Sequence, residues 1–142
     1  MKNKPISGGC YCQAVQYQVS LPVKWCAHCH CKQCRHTQAA AIVTWFGVDL
    51  GCFKYIKGSD NISWFQSSES AKRGHCKTCG TPLFFLGDKW KDEIHITRES
   101  TSEDIQMPPQ IHVFYDRHVK YLNIKDDLKK YGGSDGFTEL TD

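Results

Sequence analysis

Cys26-Ala27-His28-Cys29-His30-Cys31-Lys32-Gln33-Cys34-Arg35-His36 places four cysteines and three histidines within eleven residues. A thiolate is a soft ligand, and cysteines two or three positions apart can turn their sulfurs toward one ion without straining the backbone. The stretch therefore reads as a metal site or most of one. Two further pairs flank it, Cys10-Tyr11-Cys12 and Cys76-Lys77-Thr78-Cys79, and each supplies half of a tetrahedral shell. The economical arrangement has two sites. One joins Cys10, Cys12, Cys76 and Cys79 across the chain, and the other is built locally from Cys29, Cys31 and Cys34.

The chain has 142 residues and a formal charge of +3, with no basic run longer than Lys72-Arg73 or Lys129-Lys130. Length points to one domain with a modest core, expected over 1–133. The polar tail from Ser134 to Asp142 is expected to be mobile. Scattered charge argues against nucleic acid or an anionic membrane as partner. No apolar run has signal-peptide or bilayer-spanning length, so a cytoplasmic protein is expected. Nine cysteines in a reducing compartment favour metal over a disulfide framework. Their spacing in the cluster matches neither common ferredoxin run, so zinc is favoured over iron–sulfur.

Along the chain the pattern is mainly β. Val15, Tyr17 and Val19 alternate with polar neighbours, as in a half-buried strand. After it the cysteine cluster reads as a metal-nucleated loop with its ligands on turns. Ala39 to Phe46 reads as a strand after a close-packed entry. Phe53-Lys54-Tyr55-Ile56-Lys57 and Ile62-Ser63-Trp64-Phe65-Gln66 read as a hairpin around Gly58-Ser59-Asp60-Asn61. Further strands are expected at Pro82–Leu86, Glu93–Thr97 and Ile111–Tyr115, and a brief helix at Lys125–Tyr131. Trp45, Phe46, Trp64, Phe65, Phe84 and Phe85 are core candidates, and Cys52 reads as a small buried hydrophobe.

Four thiolates from Cys10, Cys12, Cys76 and Cys79 leave a zinc ion no open position, so that site is expected to be structural. Closing so long a loop makes metal binding part of the folding free energy, on the order of 10 kcal/mol in small zinc domains. Three ligands at Cys29, Cys31 and Cys34 leave one position free, which distinguishes catalytic zinc. The CxxC spacing of Cys26 to Cys29 also allows Cys26 to close that site. His28, His30 and His36 are candidate ligands too, although a histidine beside a ligand is more often a hydrogen-bonding neighbour or a bystander. No Ser-His-Asp or Cys-His catalytic arrangement stands out.

Three motifs, Gly8-Gly9-Cys10-Tyr11-Cys12, Cys29-His30-Cys31-Lys32-Gln33-Cys34-Arg35 and Cys76-Lys77-Thr78-Cys79-Gly80-Thr81-Pro82-Leu83-Phe84, resemble in order those of the glutathione-dependent formaldehyde-activating enzyme family. Weaker echoes follow in Pro109-Gln110-Ile111-His112-Val113, Asp116-Arg117 and Asp126-Asp127-Leu128. The resemblance implies an Mss4-like folded β-sheet structure and carbon–sulfur lyase chemistry on glutathione adducts. It implies a structural zinc on Cys10, Cys12, Cys76 and Cys79 and a catalytic zinc on Cys29, Cys31 and Cys34, two per chain, with Cys26 outside the motif. The expected partner is a small thiol or its adduct with an electrophile such as formaldehyde, whose carboxylate Arg35 could receive. The alternative is a non-catalytic zinc module of the same fold that binds proteins. His36, Ala39, His75 and Lys129 depart from residues frequent in the family, and these changes bear on the pocket more than on the metal.

Overall fold

The computed structural model describes residues 4–141. In chain order its strands are β1 (Pro5–Gly9), β2 (Gln16–Ser20), β3 (Trp25–Cys29), β4 (Val43–Asp49), β5 (Phe53–Lys57), β6 (Ile62–Ser68), β7 (Ala71–Cys76), β8 (Pro82–Gly87), β9 (Glu93–Thr97), β10 (Ile111–Val113), β11 (Lys129–Gly132) and β12 (Thr138–Glu139). Among the described residues the one α-helix is α1 (Lys32–Gln38), between β3 and β4. The chain is mainly β, and none of its described helices is long and apolar enough to cross a membrane. Two compact units are present, Met1–Trp25 with Phe46–Met107, and Cys26–Trp45 with Pro108–Asp142.

The first unit holds the antiparallel sheet β1-β2-β5 and the antiparallel run β9-β8-β7-β6. Tyr17 and Val19 of β2 are fully buried between half-exposed Gln16, Gln18 and Ser20, as their alternation predicts. Tyr17 packs edge-on against Phe84 at 5.6 Å and gives its hydroxyl a partner at Ser100 Oγ, 2.7 Å away. The hairpin expected from Phe53 to Gln66 does not form. β5 pairs with β2, bringing Phe53 opposite Val19, while β6 pairs with β7. A turn signal marks where a chain reverses, and burial decides the partner: in this register the Phe53 ring reaches both Tyr17 (5.8 Å) and Phe84 (5.4 Å). Phe65, a core candidate, is instead 61% exposed.

In the second unit β10 runs parallel to β3, setting Ala27, His28 and Cys29 beside Ile111, His112 and Val113. On its other side β10 runs parallel to β11, which pairs antiparallel with β12. The expected helix at Lys125–Tyr131 is replaced by β11. Asp126 accepts the backbone N–H of Leu128 at 3.1 Å, an Asx turn that competes with a helical first turn and releases Lys129 onwards to the sheet. Within the segment read as a polar tail, Thr138–Glu139 form β12.

The expected metal-nucleated loop contains α1 instead. Cys31 caps it, its sulfur accepting the Cys34 N–H at 3.2 Å, and Ala39 ends it in the left-handed region at φ 50°. Its N–H reaches the His36 carbonyl at 3.3 Å, and that of Ala40 the Arg35 carbonyl at 3.0 Å. A side chain resists this backbone and glycine does not. Ala39→Gly is therefore expected to raise unfolding free energy by about 0.5–1 kcal/mol, the relief of strain being partly offset by the looser unfolded chain. Urea titration of the two proteins measures it.

Candidate metal centres

The first unit brings together the sulfurs of Cys10, Cys12, Cys76 and Cys79, all within 4.8 Å of one another. Cys10 and Cys12 sit in the turn after β1, and Cys76 and Cys79 in a knuckle closed by the Gly80 N–H to the Cys76 carbonyl at 2.9 Å, with Gly80 at φ +81°. Backbone N–H groups aim at the sulfurs: Val15 at Cys10 (3.2 Å), and Thr78 and Cys79 at Cys76 (3.3 and 3.4 Å). Such donors favour thiolate over thiol. The Thr81 hydroxyl and then its backbone N–H pull Cys79 down to about 5. Cys12 rises to about 11: a backbone hydrogen bond from Ala14 lowers it, but desolvation and the sulfurs of Cys10, Cys79 and Cys76 outweigh that. The rise of Cys12 reflects burial and the neighbouring sulfurs, a crowding that a cation relieves.

In the second unit the sulfurs of Cys29, Cys31 and Cys34 converge within the same 4.8 Å limit. β3 ends on Cys29, Cys31 caps α1, and Cys34 lies in its first turn. The Cys29 and Cys34 sulfurs are 3.5 Å apart. Both residues are buried, and Cys31 is half-exposed. The neighbouring Cys31 and Cys34 sulfurs, then burial, push the Cys29 thiol up. Three ionised sulfurs this close require a compensating cation, and the donor set is the one a soft or borderline metal takes. Both clusters can hold a metal ion.

Cys26 is not among the converging sulfurs. It lies with Cys29 in the extended strand β3, where residues an odd number apart face opposite sides of the sheet. None of His28, His30 or His36 joins the cluster either. Arg35, expected to face substrate, spends Nε on the His30 carbonyl (3.1 Å) and Nη2 on the Arg117 carbonyl (2.9 Å). Cys52 is half-buried rather than buried.

One polar constellation escaped sequence reasoning. His30, fully buried, sets its Nε2 2.8 Å from His112 Nδ1, and His112 Nε2 lies 2.9 Å from Asp126 Oδ2. Burial first, then His112, His118, His28 and Arg35, pull His30 down to about 4, so its ring is neutral near neutral pH. Burial works to raise Asp126, but hydrogen bonds from His112 and the Leu128 N–H hold it below the usual carboxylate range. The available signal was the pair of family echoes around His112 and Asp126, which carried no role of their own.

The family model described as "Glutathione-dependent formaldehyde-activating enzyme" matches residues 5–117. An uncharacterized lyase of Schizosaccharomyces pombe (strain 972 / ATCC 24843) is 28% identical over 91 residues, which span 63% of this chain and 63% of that relative. The crystal structure of a Rhodobacter sphaeroides protein, a structural-genomics target, superposes with a TM-score of 0.59 at 20% identity, covering 70% of this chain and 90% of that one. This last likeness concerns the fold.

Two substitutions separate the clusters. Cys76→Ser, which breaks a cluster joining segments 64 residues apart, is expected to lose bound metal and most of the thermal stability together. Cys31→Ser is expected to lose only the metal of the second cluster and keep a cooperative unfolding transition. Elemental analysis beside a thermal melt reads both.

Proposed function

The chain belongs to the glutathione-dependent formaldehyde-activating enzyme family, and from that premise we propose that it is a zinc-dependent carbon–sulfur lyase acting on adducts of glutathione, or a similar thiol, with a small electrophile such as formaldehyde. The observation that carries this reading is the three-sulfur cluster of Cys29, Cys31 and Cys34, which Cys26 does not complete. In this reading Cys10, Cys12, Cys76 and Cys79 hold a closed, structural zinc, and Cys29, Cys31 and Cys34 hold a second with one place left for substrate. When bound there, zinc supplies Lewis acidity toward a sulfur or a carbonyl oxygen.

The protein's own residues do the rest. Cys29 and Cys34 present buried sulfurs while half-exposed Cys31 marks the accessible side. Arg35 keeps guanidinium donors beyond the two used on carbonyls, and these are assigned to a substrate carboxylate. In the direction of adduct formation the thiol loses its proton, sulfur attacks the aldehyde carbon, and the C=O π pair moves to oxygen, which takes a proton. One S–C bond forms and nothing is oxidised or reduced. A thiol-rich chain of this kind suits the reducing cytoplasm.

The test is exchange between free formaldehyde and its glutathione adduct, followed by carbon-13 NMR on zinc-loaded protein. Wild type is expected to accelerate exchange above the spontaneous rate. Cys31→Ser is expected to lose about a hundredfold or more of that acceleration, as removal of a Lewis acid worth several kcal/mol implies. A zinc-loaded wild type that leaves the exchange rate untouched would refute the lyase and leave a protein-binding zinc module.

A further inference from the structure

His30 stands between two of the three converging cysteines, and nearly every polar group it owns is bound. Its backbone N–H donates to the Val113 carbonyl at 3.0 Å, and its carbonyl accepts from Arg35 Nε at 3.1 Å. The ring Nε2 meets His112 Nδ1 at 2.8 Å. His112, 1% exposed, is anchored in turn on Asp126, whose Oδ2 and Oδ1 lie 2.9 and 3.2 Å from its Nε2. Asp126 is itself held by the Leu128 N–H at 3.1 Å. In the tautomer in which the carboxylate accepts from His112 Nε2–H, His112 Nδ1 accepts from His30 Nε2–H.

Rings close the remaining sides. His28 stacks on His112 at 5.1 Å and 28°, and its Nδ1 lies 2.8 Å from Thr44 Oγ1. Tyr115 meets both His30 (5.1 Å, 80°) and His112 (5.3 Å, 62°) edge-on. Residues alternate here: the rings of His28 and His30 both reach His112, while the sulfurs of Cys29 and Cys31 converge with Cys34. A ring fixed at Nε2, on a residue whose backbone N–H and carbonyl are also bound, restrains the His30 Cα and with it the short backbone between the two sulfurs flanking it. A three-thiolate site needs this more than a four-thiolate one, because fewer metal bonds hold its mutually repelling anions in place.

We propose that Asp126 and His112 are positioning residues that pin the His30 ring and thereby hold the sulfurs of Cys29 and Cys31 at metal-binding separation. The inference rests on the reading of Cys29, Cys31 and Cys34 as zinc ligands. It concerns how firmly that zinc is held, not which adduct is turned over.

The test is zinc affinity, measured on the full chain loaded with two zinc ions by competition with a chromophoric chelator. His112→Phe keeps the bulk of the ring and removes the acceptor for His30. His112→Asn returns an acceptor oxygen at the place of Nδ1. Asp126→Ala, at a side chain 34% exposed, leaves His112 in place but unanchored and is the variant least prone to misfold. His112→Phe is expected to weaken the zinc of the second cluster 10- to 100-fold, roughly the usual effect of removing a partner that orients a ligand. Asp126→Ala is expected to weaken it less, and His112→Asn to recover most of the loss. The zinc on Cys10, Cys12, Cys76 and Cys79 is expected to stay in all three.

Unchanged affinity of the second zinc in His112→Phe and Asp126→Ala would overturn the proposal. So would parallel loss of both zincs, or a His112→Asn no better than His112→Phe. Failure of the lyase reading looks different: two zincs bound, the affinity series as expected, and no acceleration of adduct exchange.

Discussion

Seven sulfurs gathered into two places set the terms for the rest of this chain. Thiolates repel, and burial raises the cost of ionising them, so each cluster, once ionised, favours a cation among its sulfurs. The upward shifts of Cys29 and Cys12 express that tension. In the first unit, the turn after β1 and the knuckle after β7 are brought together where a modest core alone would leave them weakly joined. The N–H groups of Val15, Thr78 and Cys79 then aim at sulfur rather than carbonyl oxygen. Much of the local backbone is thus shaped by where anionic sulfur will sit.

Cysteine spacing is a local property, which is why Cys10 with Cys12, Cys76 with Cys79, and the group Cys29, Cys31 and Cys34 were legible as units in the sequence. Strands with one buried face were legible for the same reason, as Tyr17 and Val19 show. What the sequence hides depends on distant partners or on side chains that cap. Phe53 pairs with β2 because Tyr17 and Phe84 lie there, far from the turn that suggested a hairpin. The helix α1 has no apolar stripe to betray it, being Lys32-Gln33-Cys34-Arg35-His36-Thr37-Gln38, and its cap is a cysteine rather than serine or aspartate. The strand at Lys129 was masked by an Asx turn that no periodicity records. His112 and Asp126 belong to a contact formed only after β10 lies beside β3.

Three CxxC spacings show how far a motif reaches. Cys76 and Cys79 lie in a turn, Cys31 and Cys34 span a helix cap, and in both the sulfurs converge. Cys26 and Cys29 have the same spacing within β3, where alternation sends their side chains to opposite faces. Spacing therefore permits convergence, and secondary structure decides it. The third cysteine pair was ambiguous in sequence because a strand and a turn there could not be told apart.

Clusters of four and of three sulfurs make different demands on their scaffold. Where four sulfurs surround an ion, the metal bonds themselves set the geometry, and the protein can place half of the ligands at the surface, as it does with Cys12 and Cys79. Three sulfurs that leave a place free must be spaced by the protein, because the missing bond cannot draw them in. Cys29 is accordingly at the end of a paired strand, Cys31 is tied to the Cys34 N–H, and Cys34 lies in a helix. Arg35 fastens the His30 carbonyl to that of Arg117, and Asp126 with His112 fastens its ring. A buried polar network is costly to assemble, and this one is engaged at His30 Nε2 and at both ring nitrogens of His112, while His30 Nδ1 is buried without a hydrogen-bond partner. Its position on the other side of the backbone from the three sulfurs is the one from which the proposed positioning acts without adding a competing ligand to the cluster.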